Sequence, residues 1–328
     1  MRKLASIQKI LDIKPIEGAD VIEVASVLGW KVVVKKGEFS VGDKCVYCEI
    51  DSQLPEKEEF EFLRNKKFRI KTLRLKSQIS NGICFPMSII GIDPEIGTDV
   101  TEEMGITKWE PQNPITLGGD NKGSFPGYVF KTDEQRIQNF PNLLDEIRGL
   151  EFYSTVKCDG SSCTISHMDG EEHVCSRNLS KKDGDKVIFW QMEKKYNVLE
   201  KLRKLGNFAV QGEICGPGIQ KNRLGLKEHE LLLFDVFNIK EARYLDFKEF
   251  IEFSQSIGMR TVPIENESFI FDFTIEELLE MVKGRYPNTS NEREGLVFRP
   301  TKETVSRVLN ERMSFKVINN EYLLKGGN

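Results

Sequence analysis

Lys157, Asp159 and Gly160 fall within the run "FYSTVKCDGSSCTI", which is β-rich and otherwise uncharged. Residues two apart in a strand point to the same face, so Lys157 and Asp159 project together, and Gly160 lets a second backbone or a ligand come close. Two readings fit that spacing: a buried ion pair, or a nucleophilic lysine with an acidic neighbour. A lysine amine has an ordinary pKa of about 10.4, so attack on phosphorus requires that it first lose its proton. Nearby cations or desolvation favour that loss, and Lys316 in "MSFKVIN" or a divalent metal is a candidate source of charge. Glu213 in "VQGEICG" and Glu294 in "REGLVFRP" each lie on an apolar strand beside a glycine. Magnesium keeps most of its water shell and meets one or two carboxylates plus substrate phosphates, so separated acids of this kind suffice to hold it. Taken singly, either glutamate is better explained as a strand-end or surface residue. Together with Lys157, Asp159 and Lys316 they point to a metal-assisted site.

Such residues need a scaffold. At 328 residues the chain exceeds the usual single domain, which favours two cores. Charged residues at 30% and hydrophobic ones at 39% give a soluble balance, and the net charge of -4 means that a polyanion would have to be met by a local basic surface. There is no apolar run of membrane-spanning length and no signal-peptide core, and seven cysteines fit free thiols in a reducing compartment, so an intracellular protein, cytoplasmic or nuclear, is expected. Cys45 and Cys48 have CxxC spacing without a second such pair, and are expected to pack as small hydrophobes.

Residues 1–105 read as short strands punctuated by Gly, Pro and Asp, which predicts an OB-like β-barrel. Within it "RNKKFRIKTLRLK", residues 64–76, carries seven basic residues and no acidic one. Charge alternates there with Phe68, Ile70, Leu73 and Leu75, which predicts a strand with cations on one face, a track for a phosphate backbone on which Arg64, Lys67 and Arg69 are the candidate contacts. A solvated strand of lysines guarding a sheet edge fits equally well. Residues 106–127 are rich in Pro, Gly and Asn and read as a linker. Residues 128–328 mix strands with a helical stretch at 187–206 and two capped helices, marked by Asp246 with Glu249 and Thr274 with Glu277. The fold class is α+β.

The order "KCDG", "QGEICG", "LLLFDVFN", "EGLVFRP", "SFKVIN" resembles the motif series of the covalent nucleotidyltransferase superfamily, which contains ATP-dependent RNA and DNA ligases and mRNA capping enzymes. The Lys-x-Asp-Gly tetrapeptide alone is weak, whereas five motifs in order are specific. A barrel ahead of the catalytic domain, with the chain ending soon after Lys316, resembles the Naegleria-type class of RNA ligases. The likeness spans nearly the whole chain.

That resemblance implies an N-terminal OB barrel followed by an ATP-grasp-like ligase core of antiparallel sheets and helices. It implies that Lys157 attacks the α-phosphate of ATP to form lysyl-AMP, that the AMP passes to an RNA 5′-phosphate, and that a 3′-OH then seals the end, as in RNA repair. Asp159, Glu213 and Glu294 would hold the water shell of Mg2+ or Mn2+, and Lys316 would contact the α-phosphate. Arg177, Phe234, Val297, Gly160 and the backbone beside Val156 would form the nucleotide pocket. Relatives often carry a second lysine in the last motif; here Ser314 and Ile318 stand at the two possible positions, which leaves Lys302, Arg312 or Lys325 as substitutes. The partner expected is RNA with 5′-phosphate and 3′-OH ends, bound by a monomer. The competing readings are a DNA ligase, a capping guanylyltransferase, or a non-catalytic OB-fold RNA-binding protein.

Overall fold

The computed structural model describes residues 3–109 and 121–326. They form two compact units, one taking in 3–109, Ile137–Pro141 and 320–326, the other 121–136 and 142–319. No helix among the described residues is long and apolar enough to cross a membrane.

The first unit is a five-stranded antiparallel sheet in the order Trp30–Lys35, Ile22–Val27, Ala5–Pro15, Lys44–Cys48, Ile83–Pro86. The long strand Ala5–Pro15 serves two neighbours: its first half pairs with Lys44–Cys48, its second with Ile22–Val27, and the register shifts between Ile10 and Asp12. A bulge at that point supplies the bend that a curled sheet needs. The curl brings the far edges together, where the Lys31 carbonyl accepts from the Asn81 amide at 2.9 Å and the Val33 amide donates to Ser80 Oγ at 2.9 Å. Cys48 packs with Ile7 and Phe85, and Cys45 with Ile10 and Tyr47, in two separate apolar clusters. Both thiols are buried and free, as packing residues are.

The basic segment departs from its predicted shape. Glu58–Lys66 is a 3-10 helix, Lys67 and Phe68 take the left-handed conformation at φ 54° and 56°, and only Leu73–Leu75 is extended, in a hairpin with Gln78–Ser80. Phe60, Leu63, Phe68 and Ile70 all anchor into one core cluster, and the two left-handed residues break the extended run. Alternating cations therefore do not share a face. Arg69 is buried, its guanidinium 2.8 Å from Asp51 Oδ1 and stacked 3.3 Å above the Trp109 ring. Arg64 and Lys67 are exposed, Arg64 with Glu61 as partner.

Residues 106–109 of the stretch read as a linker belong to the first unit, where Thr107–Lys108 pairs with Ser52–Gln53. Residues 121–124 pair with Leu179–Lys181 in the second unit, and 110–120 lie outside the described residues.

Among the described residues the second unit contains two large sheets and the small ribbon Val305–Ser306 with Glu311–Arg312. A seven-stranded antiparallel sheet runs Asn121–Ser124, Leu179–Lys181, Glu171–Cys175, Ser161–Met168, Phe208–Cys215, Glu230–Asn238, Arg243–Tyr244. One face of it, with Ile165, Val174, Val210 and Ile214, buries helices Ile188–Tyr196, Val198–Leu205 and Phe247–Ser256. The helix predicted over 187–206 is broken in two because Asn197 turns left-handed at φ 49°. Both predicted capping boxes form. The other face is polar, carrying Ser162, Thr164, Gln211 and Glu213 in cross-strand register. A five-stranded sheet runs Gln135–Arg136, Phe315–Ile318, Gly295–Pro300, Glu151–Lys157, Ile264–Ile270. Its apolar face stacks Phe152, Phe271, Phe298 and Phe315.

Candidate active site

Residues 158–160 are the corner at which the chain leaves one sheet for the other, between strands Glu151–Lys157 and Ser161–Met168. Cross-strand partners share a face. Lys157 lies opposite Gly295, Thr155 opposite Val297, and Val297 opposite Lys316, so Lys157, Val297 and Lys316 occupy one face of the smaller sheet. Arg136 lies beside Lys316 in parallel register and extends that row. Glu213 comes from the larger sheet, opposite Ser162.

The acids and the lysine meet. Lys157 Nζ is 2.8 Å from Glu294 Oε1 with about a quarter of its side chain exposed. Burial alone would lower the Lys157 amine, but Glu294, Glu213 and Asp159 together outweigh it and hold the amine above its ordinary range. The neighbours of this lysine are carboxylates, which favour its protonated form, whereas cations would depress it. Burial pushes Glu213 up to about 8, partly relieved by Lys157 and Arg177 and reinforced by Glu294 and Asp159. Three carboxylates thus crowd one corner, Glu294 and Asp159 each with a cation at hand in Lys157 and Arg223. Three hard carboxylates in that condition fit a hydrated divalent ion, and among the described residues no three His, Cys, Asp or Glu side chains come together as direct ligands.

Asp159 does not pair with Lys157. Its carboxylate lies 3.2 Å from Nε of Arg223, and both side chains are buried. Gly160 is required by the fold itself: a Cβ there would stand 2.4 Å from the Ile214 carbonyl and 2.7 Å from Glu213 Cγ. Of the two close approaches that Gly160 allows, a second backbone or a ligand, the structure shows the first, made by the Glu213 strand. Cys158 faces away from Lys157 and packs with Cys215, Leu232 and Val262.

Val156 points into the core, and its amide already donates to the Pro263 carbonyl at 2.8 Å, so that donor is not open to a base. Phe234 is the extra residue of a bulge, since Gln211 faces Asp235 while Gly212 faces Leu233. Bulges re-aim side chains, and Phe234 is left half-buried while its strand neighbours are buried. Arg177, in the turn before Leu179–Lys181, is exposed and ion-paired with Asp133. Among the substitute cations, Arg312 is half-buried and committed to Asp235 and Glu303, and Lys302 is exposed beside Asp246 at 3.4 Å. Lys325 belongs to the first unit. Of the two positions for a second lysine, Ile318 shares the row of Lys157, while Ser314 accepts from Arg299 Nε at 3.1 Å.

The first comparison with known proteins concerns families. A family described as an OB-fold domain matches residues 4–87, and a family described as RNA ligase matches residues 150–318. The chain belongs to the RNA ligase family. An aspartate-to-alanine variant of Naegleria gruberi RNA ligase without ligand is similar at 37% identity and TM-score 0.91, over 99% of this chain and 98% of that one. A glutamate-to-alanine variant of the same ligase, with ATP and Mn, matches at 37% identity and TM-score 0.90 over 100% of both chains. A lysine-to-methionine variant with AMP and Mn matches at 37% and 0.90 over 99% of each. No curated protein matches. This RNA ligase is therefore an enzyme whose substrate is RNA, and the DNA ligase, capping and non-catalytic readings give way.

Three residues of this corner escaped the sequence reading: Arg136, Arg223 and Tyr286. Arg136 lies in a charged run with no periodicity, and Arg223 and Tyr286 lie in turn-rich stretches. Nothing in their local sequence marks them.

Proposed function

We propose that this RNA ligase uses ATP and a divalent metal ion, Mg2+ or Mn2+, to join RNA 5′-phosphate and 3′-OH ends through an AMP held covalently on Lys157. The observation that carries the reading is the lysine itself, 2.8 Å from Glu294 at the corner shared with Glu213 and Asp159. A metal ion bound there would be held through water by Asp159, Glu213 and Glu294 and would supply positive charge against the phosphates. Lys157 gives up a proton, for which Glu294 is the adjacent base, and its nitrogen forms a bond to the α-phosphorus as the bond to the β-phosphate oxygen breaks. Pyrophosphate leaves with that electron pair. The RNA 5′-phosphate oxygen then displaces Lys157, and the 3′-OH displaces AMP. All three steps are phosphoryl transfers, which depend on positioning and charge neutralisation.

Lys316 and Arg136, adjacent in register, serve as the cations on the α-phosphate, so the second lysine of relatives is replaced by an arginine from another strand. Phe234 and Val297 bracket adenine, Arg177 meets phosphate or sugar oxygens, and backbone groups next to Val156 read the base edge. RNA contact on the first unit falls to Arg64 and Lys67, because Arg69 is committed to Asp51. Incubation of the full chain with labelled ATP and Mn2+ should give a covalent protein-AMP adduct on Lys157, stable to alkali and labile to acid as a P–N bond is, that is lost in Lys157→Ala. A wild-type protein that forms no adduct would overturn the reading.

A further inference from the structure

The Tyr286 hydroxyl lies under the catalytic corner, fully buried. It donates to the Lys157 carbonyl at 2.9 Å and accepts from the Asp159 amide at 3.1 Å and the Glu294 amide at 3.2 Å. A phenolic hydroxyl has one donor and two acceptor sites, so all three are used, and all on the backbone of residues at the centre of the site. The segment carrying it is held independently. The Tyr286 amide donates to the Asn291 carbonyl at 3.0 Å, the Tyr286 carbonyl accepts from Thr289 Oγ1 at 3.0 Å, and Arg293 caps the carbonyls of Met281, Val282 and Lys283. The same loop reaches Arg223, the partner of Asp159, through Asn291 Nδ2 to the Arg223 carbonyl at 2.8 Å.

We infer that Tyr286 is a positioning residue for lysine adenylylation: its hydroxyl fixes the turn that presents Lys157 to the strand start that presents Glu294. The inference rests on the lysyl-AMP reading above. Side chains on those two backbones meet at 2.8 Å, and that pair both aims the nitrogen and receives its proton. Without the hydroxyl, two amides and a carbonyl lose their shared partner and the two backbones are free to separate. The cost falls on attack by Lys157 and much less on the last step, in which a 3′-OH is the nucleophile.

Tyr286→Phe removes only that oxygen. Wild type and variant are compared, as full chains with Mn2+, in single-turnover formation of labelled protein-AMP at varied ATP, and in sealing of RNA that already carries a 5′-adenylate. We expect the maximal adenylylation rate to fall at least ~30-fold with half-saturating ATP within about threefold, and sealing to fall less than about fivefold. Thr289→Val loosens the same loop without touching the hydroxyl and should move both steps by one common factor. Unchanged adenylylation in Tyr286→Phe, an equal loss in both steps, or a variant inactive in sealing would each overturn the inference. No adduct in the wild type would instead sink the lysyl-AMP reading and leave the hydrogen bonds as architecture only.

Discussion

Arg299 and Arg312 sit among Glu134, Asp235 and Glu303; Lys157 sits among Asp159, Glu213 and Glu294. Both groups are partly buried ionic clusters in the same unit, both join the two sheets, and both set three carboxylates against few cations. In the first, Arg299 holds Glu134 at 2.7 Å and Asp235 at 3.1 Å, Arg312 holds Asp235 at 2.7 Å, and its guanidinium stacks 3.8 Å from the Tyr244 ring. Burial tends to raise the Glu134 carboxyl, but Arg299 and Arg312 hold it below its usual range. In the second, Glu213 is left well above that range. A guanidinium fork satisfies several acceptors at once and does not give up its proton, whereas an ammonium is a point charge that can lose one. The arginine cluster ties the two sheets together with groups that keep their charge; the lysine cluster leaves Glu213 high, mainly through burial, a carboxyl that a divalent metal ion would draw into its ionised form.

Exchanging the cations gives the largest expected effects. Lys157→Arg preserves the charge beside Glu294 but removes the group able to become a neutral nucleophile, so protein-AMP formation should fall by at least ~10³-fold, about 4 kcal/mol in barrier, with thermal stability near wild type. Arg299→Lys should do the opposite. The guanidinium also donates to Ser314 Oγ at 3.1 Å and the Phe234 carbonyl at 3.3 Å, contacts one ammonium cannot reproduce. Buried acceptors left without donors cost about 1–3 kcal/mol each, so urea unfolding should show a loss of roughly 2–4 kcal/mol while the surviving folded protein still forms adduct. Were Arg299→Lys to abolish the adduct at full stability, the division between the clusters would fail.

A smaller effect tests whether Glu213 is held protonated at this corner until a metal ion arrives. With Glu213 raised to about 8 from an ordinary 4.5, the native state binds more protons than the unfolded state between those values. Stability is therefore lost as pH rises through that window, with the cost absent below it and complete above it. Glu213→Gln removes the ionisation, and should be more stable than wild type by on the order of 1 kcal/mol at pH 8.5 without metal, and equal to it near pH 4.5. Adding Mn2+ at pH 8.5 should raise the melting temperature of wild type more than that of the variant. Scanning calorimetry across pH, with and without the ion, reads both.

What was legible in the sequence divides along the same lines. Lys157, Glu213 and Lys316 stand out because each is fixed by its place on a strand, and strand alternation is written locally; Glu294, expected on a strand, lies one residue before it, and Val297 is marked only by the family resemblance. The capping boxes at Asp246 and Thr274 are local too, and they formed. Arg136 enters only through parallel register with Lys316, and Tyr286 through hydrogen bonds to residues more than a hundred positions away. No window of sequence contains those relations. The segment 64–76 misled for a related reason: alternation of cations with apolar residues describes a strand, but it also describes a turn in which Phe68 and Ile70 anchor and the arginine between them turns inward to Asp51.

That segment carries the comparison to the first unit, where again an arginine is buried in an ion pair and a lysine stays exposed. Arg69 is placed like Arg299, and Lys67 is accessible to a phosphate backbone. Lys67 occupies the left-handed region at φ 54°, which asparagine tolerates better than most residues, so Lys67→Asn removes the charge without straining the turn. The Gln53 side chain, which donates to the Lys67 carbonyl at 3.2 Å, keeps its backbone partner in the variant. One lost phosphate contact should weaken RNA binding by about two- to fivefold at 0.1 M salt and lower the slope of log affinity against log salt by about 0.7, the value for a single strand. Adduct formation should be unchanged, since that reaction needs no RNA. Fluorescence anisotropy over a salt series measures the slope. An unchanged slope would remove Lys67 from the RNA path, and the lysines of this segment would then be read as a solvated rim that keeps the barrel edge from pairing with another chain.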